Sequence, residues 1–183
     1  MTIRRKLIRS KVNALLQGMN LRTREVPIEE IVESVGLRIE RQRIDDRLAG
    51  FLVRGKGIPQ PVVGINSRQL QERQRFTLAH ELGHYLLHNV EGVHVDQAFN
   101  VKLRSGLSRQ GTDIDEMEAN LFAAELLMPQ AWLEEDINNL DPFDIEGGQE
   151  EDDADVIKHL AKLYNVSRQA MSIRLSSLGY LTL

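Results

Sequence analysis

Phe76-Thr77-Leu78-Ala79-His80-Glu81-Leu82-Gly83-His84-Tyr85 is the stretch from which the rest of this chain is read. It lies in a run from Ser67 to about Asn89 whose apolar residues recur at helical spacing. Phe76, Ala79, Leu82 and Leu86 form a stripe for burial, and His80 and His84 line the neighbouring stripe. Residues four apart on a helix share a face, roughly 6 Å apart along the axis, so two imidazoles placed there can close on one cation. Glu81 stands about 100° round the helix, where a carboxylate reaches a metal-bound water instead of the metal. With five histidines in 183 residues, random order produces this spacing about 0.01 times per chain. Two ordinary helix histidines beside a solvated glutamate are therefore the weaker reading.

A hydrolytic metal centre needs a third protein ligand and an open position for water. One solution places a glycine three residues, and a histidine six residues, after the second motif histidine. Leu87 and Val90 occupy those places and exclude it. The other takes a carboxylate from a later helix, and the pattern predicts one from about Asp113 to Met128, capped by Thr112 or Asp113 and stopped by Pro129. Glu116 and Asn120 share one face of it, the first to bind a metal, the second to orient a ligating histidine through its other ring nitrogen. Ile114, Met117, Leu121 and Ala124 are read as the opposite, apolar face, and Ala119 and Ala123 are small enough for two helices to approach closely. Taken alone, Glu116 suits an acid at a helix N-terminus nearly as well; its pairing with the histidine motif tips the reading. Glu118 is the weaker ligand candidate, and His94 stands as an alternative to Glu116. His88, about 12 Å from His80 by helix rise, is read as a helix-terminal or structural histidine, and His159 as a surface residue.

Composition bounds the chemistry. The 183 residues suit one unit with at most a small appendage, and 42% are hydrophobic. Cysteine is absent, which excludes disulfides, iron–sulfur clusters, thiol nucleophiles and cysteine-ligated zinc. A formal charge of −4 excludes a polybasic nucleic-acid or membrane binder. No apolar run approaches a membrane span, and the basic start (Arg4, Arg5, Lys6) is not followed by the apolar run of a secretory signal. A soluble, cytoplasmic protein is expected.

Around the motif, helices are predicted from Thr2 to about Met19 and from Ile28 to Val35. Strands are predicted at Leu37–Ile44, Ala49–Val53 and Pro61–Asn66, the last two separated by Gly55-Lys56-Gly57. The expected fold is α+β: mainly helical, with a small, mostly antiparallel three-stranded sheet packed on the motif helix. Val62, Val63, Gly64, Ile65 and Asn66 are read as an edge strand able to pair with an extended peptide. Residues 141–155 hold eight acids beside Gly147-Gly148 and read as a linker; residues 156–183 carry Lys158, Lys162, Arg168 and Arg174 and no acid. Leu160 to Ala170 resembles a helix-turn-helix, with Asn165 in the turn and Ser167 capping a second helix. Arg168, Gln169 and Arg174 would then contact nucleic acid or a partner; the plainer reading is a helical hairpin covering the core. The expected division is a 1–140 catalytic domain, a 141–155 linker and a 156–183 terminal segment.

Two long strings, Arg73 to Tyr85 and Glu116-Met117-Glu118-Ala119-Asn120 through Met128-Pro129, resemble the ImmA/IrrE family of metallopeptidases. The resemblance implies a gluzincin-like core with one Zn2+ held by His80, His84 and Glu116. It also implies bacterial or phage origin, and cleavage of a repressor with an Xre-type helix-turn-helix, releasing stress-response or mobile-element genes. The competing reading is a DNA-binding transcriptional regulator whose zinc-stabilised core does no chemistry.

Overall fold

A computed structural model describes residues 2–19, 21–88, 92–97, 110–140 and 153–181. The bulk of the acidic linker, residues 141–152, lies outside the described residues. Among those described, the elements run α1 (Arg5–Gln17), α2 (Ile28–Ser34), β1 (Arg38–Gln42), β2 (Leu48–Arg54), β3 (Val62–Asn66), α3 (Gln71–Leu87), β4 (Gly92–Gln97), α4 (Gln110–Leu127), α5 (Gln130–Asn138), α6 (Asp153–Tyr164) and α7 (Arg168–Leu178). The class is α+β, as expected.

The sheet differs from expectation. Among the described residues it has four strands in the order β1-β3-β2-β4, with β1 parallel to β3 and the other pairs antiparallel. β2 and β3 form the hairpin that the glycine turn suggests, but β1 crosses to the far side of β3. The 43–47 connection is tied back by Asn66, whose buried amide donates to the carbonyls of Asp45 (3.2 Å) and Leu48 (3.1 Å). β4 is the added strand. The alternation Val93-His94-Val95-Asp96 carries the period-two signal that would have found it.

These pairings correct one reading. β3 hydrogen-bonds to β1 on one side and β2 on the other, and all five of its residues are buried. Its backbone groups are already used, so Val62 to Asn66 are an interior strand and not an edge open to a peptide.

α3 crosses the sheet against β2 and β3 and packs most extensively on α4. Gly83 permits that contact: a Cβ there would stand 3.1 Å from Ala119 Cα and 3.2 Å from Phe122 Cδ1. The buried face of α4 is Ala119, Phe122, Ala123 and Leu126, whereas Met117 is 52% exposed. Met117 therefore does not belong to an apolar face, because the helix turns its Glu118 side inward instead. α4 also begins at Gln110, so Thr112 and Asp113 stand within its first turn and not ahead of it.

The terminal helices join the same core. Leu160, Tyr164, Met171 and Leu175 cluster with Ile8, Leu82 and Phe122. Asn165 takes a left-handed conformation (φ 50°) between α6 and α7, and Ser167 accepts a bond from the Ala170 amide, as the sequence predicts. Asp153 and Asp155, expected in the linker, occupy the first turn of α6, where acids complement the helix dipole.

Candidate metal centre

From residue 77 to 84, α3 is buried on every side. Its polar side chains must therefore find partners inside the protein. His80 and His84 bring their Nε2 atoms to 3.0 Å from each other. Glu116, from the facing turn of α4, places Oε2 3.4 Å from His80 Nε2 and Oε1 3.3 Å from His84 Nε2. Ligands bound to a tetrahedral Zn2+ at about 2.0–2.1 Å stand roughly 3.3 Å apart, so this triangle has the dimensions of a ligand set. The donor chemistry agrees: two imidazole lone pairs and a carboxylate converge where a cation would satisfy all of them.

Electrostatics hold the groups in ligating form. Burial, the largest influence on His84, pushes its pKa down to about 4, so the imidazole is neutral at pH 7. Burial alone would raise the Glu116 pKa, but the neighbouring imidazoles of His80, His84 and His94 outweigh it and hold the pKa low, so the carboxylate is ionised. The two histidines are 0% and 1% exposed, while Glu116 is 36% exposed and marks the side from which solvent arrives.

The remaining ring nitrogens are also held. His80 Nδ1 lies 3.0 Å from Asn120 Oδ1, the contact that the Glu116/Asn120 spacing predicts. His84 Nδ1 lies 3.1 Å from Nδ1 of His88, which terminates α3. Glu81 is fully buried on the sheet side of α3. Gly50 of β2 lets the sheet come this close: a Cβ there would meet Thr77 Cγ2 at 2.6 Å and lie 3.7 Å from Glu81 Oε1.

Three placements depart from the sequence reading or extend it. His94, on β4, has its Nε2 3.5 Å from Glu116 Oε1 and its ring 4.2 Å from that of His84, so it enters the site beside Glu116 without replacing it. Glu118 faces Arg4 and His88, away from the triangle. Arg174 is 2% exposed and donates to Glu125 Oε2 (2.7 Å) and the Met128 carbonyl (3.1 Å). It is an interior cation paired within the protein, whereas Arg168 and Gln169 are exposed at the start of α7.

The sequence profile of the peptidase family described as the IrrE N-terminal-like domain matches residues 32–176, more than half of the chain. The chain belongs to that family. The IrrE-like region begins within α2 and ends within α7, so it takes in the triangle, β4 and both terminal helices. The chain is also similar to Metallopeptidase ImmA of Bacillus subtilis (strain 168), at 28% identity over 130 residues. That alignment covers 71% of this chain and 64% of the relative, so the chain spans a little less than two thirds of the length of ImmA. Among the described residues, no helix is long and apolar enough to cross a membrane.

Proposed function

We propose that this chain is a zinc-dependent endopeptidase that hydrolyses a peptide bond in a partner transcriptional repressor of the Xre type. The observation that carries the enzymatic part is the triangle of His80, His84 and Glu116 with a buried carboxylate, Glu81, between the two histidines on the same helix. A structural zinc site would use four protein ligands and have no need of Glu81. The repressor as substrate rests on the family resemblance.

A zinc ion held by this triangle would supply an activated water and polarise the scissile carbonyl. Glu81 takes the proton of the attacking water and returns it to the departing amine. His94 reaches the site from the sheet and donates to the carbonyl oxygen as negative charge develops there. Asn120 holds the His80 ring by its far nitrogen. β4 pairs only with β2 among the described residues, which makes it an edge strand beside the site. An extended substrate segment adds to that edge by main-chain hydrogen bonds.

Incubation of the purified chain with an Xre-type repressor, chosen from a neighbouring gene where one is encoded there, with and without a chelator, tests this reading. Cleavage that the chelator stops is expected. Glu81→Gln should retain zinc and lose cleavage; a metal-loaded Glu81→Gln protein that still cuts would refute the assignment of the base. Salt-sensitive retention on DNA without cleavage would favour the regulator reading. With Arg174 buried, Arg168 and Gln169 at the start of α7 are the exposed ones among the three contact residues that reading names.

A further inference from the structure

The two ligating histidines are supported in unlike ways. Nδ1 of His80 meets the neutral amide of Asn120. Behind His84 runs a longer connection: His84 Nδ1 to His88 Nδ1 at 3.1 Å, then His88 Nε2 to Glu118 Oε2 at 3.1 Å. Glu118 is 1% exposed. Arg4, ahead of α1, grips it with its backbone amide (2.7 Å to Oε1), Nε (3.0 Å to both oxygens) and Nη2 (2.5 Å to Oε2). Arg4 Nη2 also donates to the Leu87 carbonyl at 3.2 Å, fixing it to the end of α3.

One assignment of protons satisfies every link. His84 turns Nε2 to the triangle, so its proton sits on Nδ1 and is donated to His88 Nδ1. His88 then carries its own proton on Nε2 and donates it to the Glu118 carboxylate. The carboxylate charge thereby polarises both rings in series, strengthening His84 as a ligand and locking its orientation.

His88, Asp115 and Glu118 also bring ligand atoms within 4.8 Å of one another, the spacing of a second metal site. The fork of Arg4 decides against it. A second cation there would face a guanidinium already occupying both oxygens of Glu118, and like charges at that range repel.

We propose that His88, Glu118 and Arg4 form a positioning relay that fixes the tautomer and ring orientation of His84 for metal binding. The proposal rests on the metal-centre reading above. It assigns a role to a residue outside the 32–176 family match, since Arg4 precedes it.

Zn2+ affinity, measured by competition with a chromophoric chelator, and the visible spectrum of the Co2+-substituted protein test it. His88→Phe keeps an aromatic ring but accepts no proton from His84; about 10- to 100-fold weaker Zn2+ binding and an altered Co2+ spectrum are expected. His88→Gln restores an acceptor and should recover most of the affinity. Glu118→Gln, which keeps the shape and removes the charge, should also weaken binding and serves if the phenylalanine variant does not fold. Wild-type affinity and spectrum in His88→Phe or Glu118→Gln would overturn the relay, as would equal losses in His88→Phe and His88→Gln. Two Zn2+ per chain, one lost in Glu118→Gln, would overturn it in favour of a second metal site. A wild-type chain that binds no Zn2+ would refute the metal-centre reading itself, and the relay with it.

Discussion

Gly83 lies against the backbone of Ala119: a Cβ at Gly83 would stand 3.1 Å from Ala119 Cα and 3.2 Å from Ala119 O. The glycine inside the histidine motif is thus what allows α4 to come close enough for Glu116 to reach His80 and His84. Gly83→Ala is expected to cost about 1–3 kcal/mol of stability through overpacking, read by denaturant unfolding of the metal-free protein. It should also weaken Zn2+ binding, because the strain is relieved by moving α4 and Glu116 with it. Unchanged stability with unchanged affinity would show that the two helices can shift without consequence.

Arg4 holds Glu118 mainly through side-chain hydrogen bonds and brings the carboxyl down to about 2 from its ordinary 4.5. A carboxyl whose folded pKa is depressed contributes stability above its unfolded pKa and loses it as pH falls towards the folded value. Arg4→Met should therefore unfold more easily than wild type at pH 6, with the difference shrinking between pH 4.5 and pH 2. Chelator-treated protein followed by circular dichroism at several pH values gives this comparison. A gap that stays constant down to pH 2 would assign the effect to lost packing of the arginine.

Arg174 and Glu125 form a buried pair at 2.7 Å, the cation being 2% exposed on its side chain and the carboxylate 9%. Breaking such a pair from one side strands a buried charge, so Glu125→Ala should destabilise by about 3–5 kcal/mol. Replacing both residues with apolar ones of similar volume should restore most of that loss. Arg168→Ala and Gln169→Ala, on the exposed start of α7, should change stability by less than about 0.5 kcal/mol. The contrast is measured in one set of unfolding curves.

His94 approaches Glu116 from β4 with its Nε2 3.5 Å from Oε1. If it donates to the developing oxyanion, His94→Ala lowers kcat about 10²- to 10³-fold and leaves Zn2+ affinity unchanged. A large loss of Zn2+ affinity with the loss of rate would make it a fourth ligand.

Helical periodicity made much of the site legible before any coordinates. His80, Glu81 and His84 are spaced within one turn, and Glu116 and Asn120 within another, so their relative directions follow from local backbone geometry. The left-handed Asn165 and the capping Ser167 were legible for the same reason, each being a matter of a few neighbouring residues. The face of α4 was harder to read. Its tertiary partners bury Glu118 and expose Met117, against the hydropathy of both residues.

What the chain by itself determined is the pair of helices and the directions in which they present their ligands, since hydrogen bonds four residues apart set those. Tertiary structure alone decided that β3 would be interior and β4, among the described residues, the edge beside the site. The same holds for the turn of Arg174 inward to Glu125 and the reach of Arg4 across to Glu118, 114 positions away. Strand order and long-range ion pairs depend on which surfaces exclude water together, and no local period in a sequence records that.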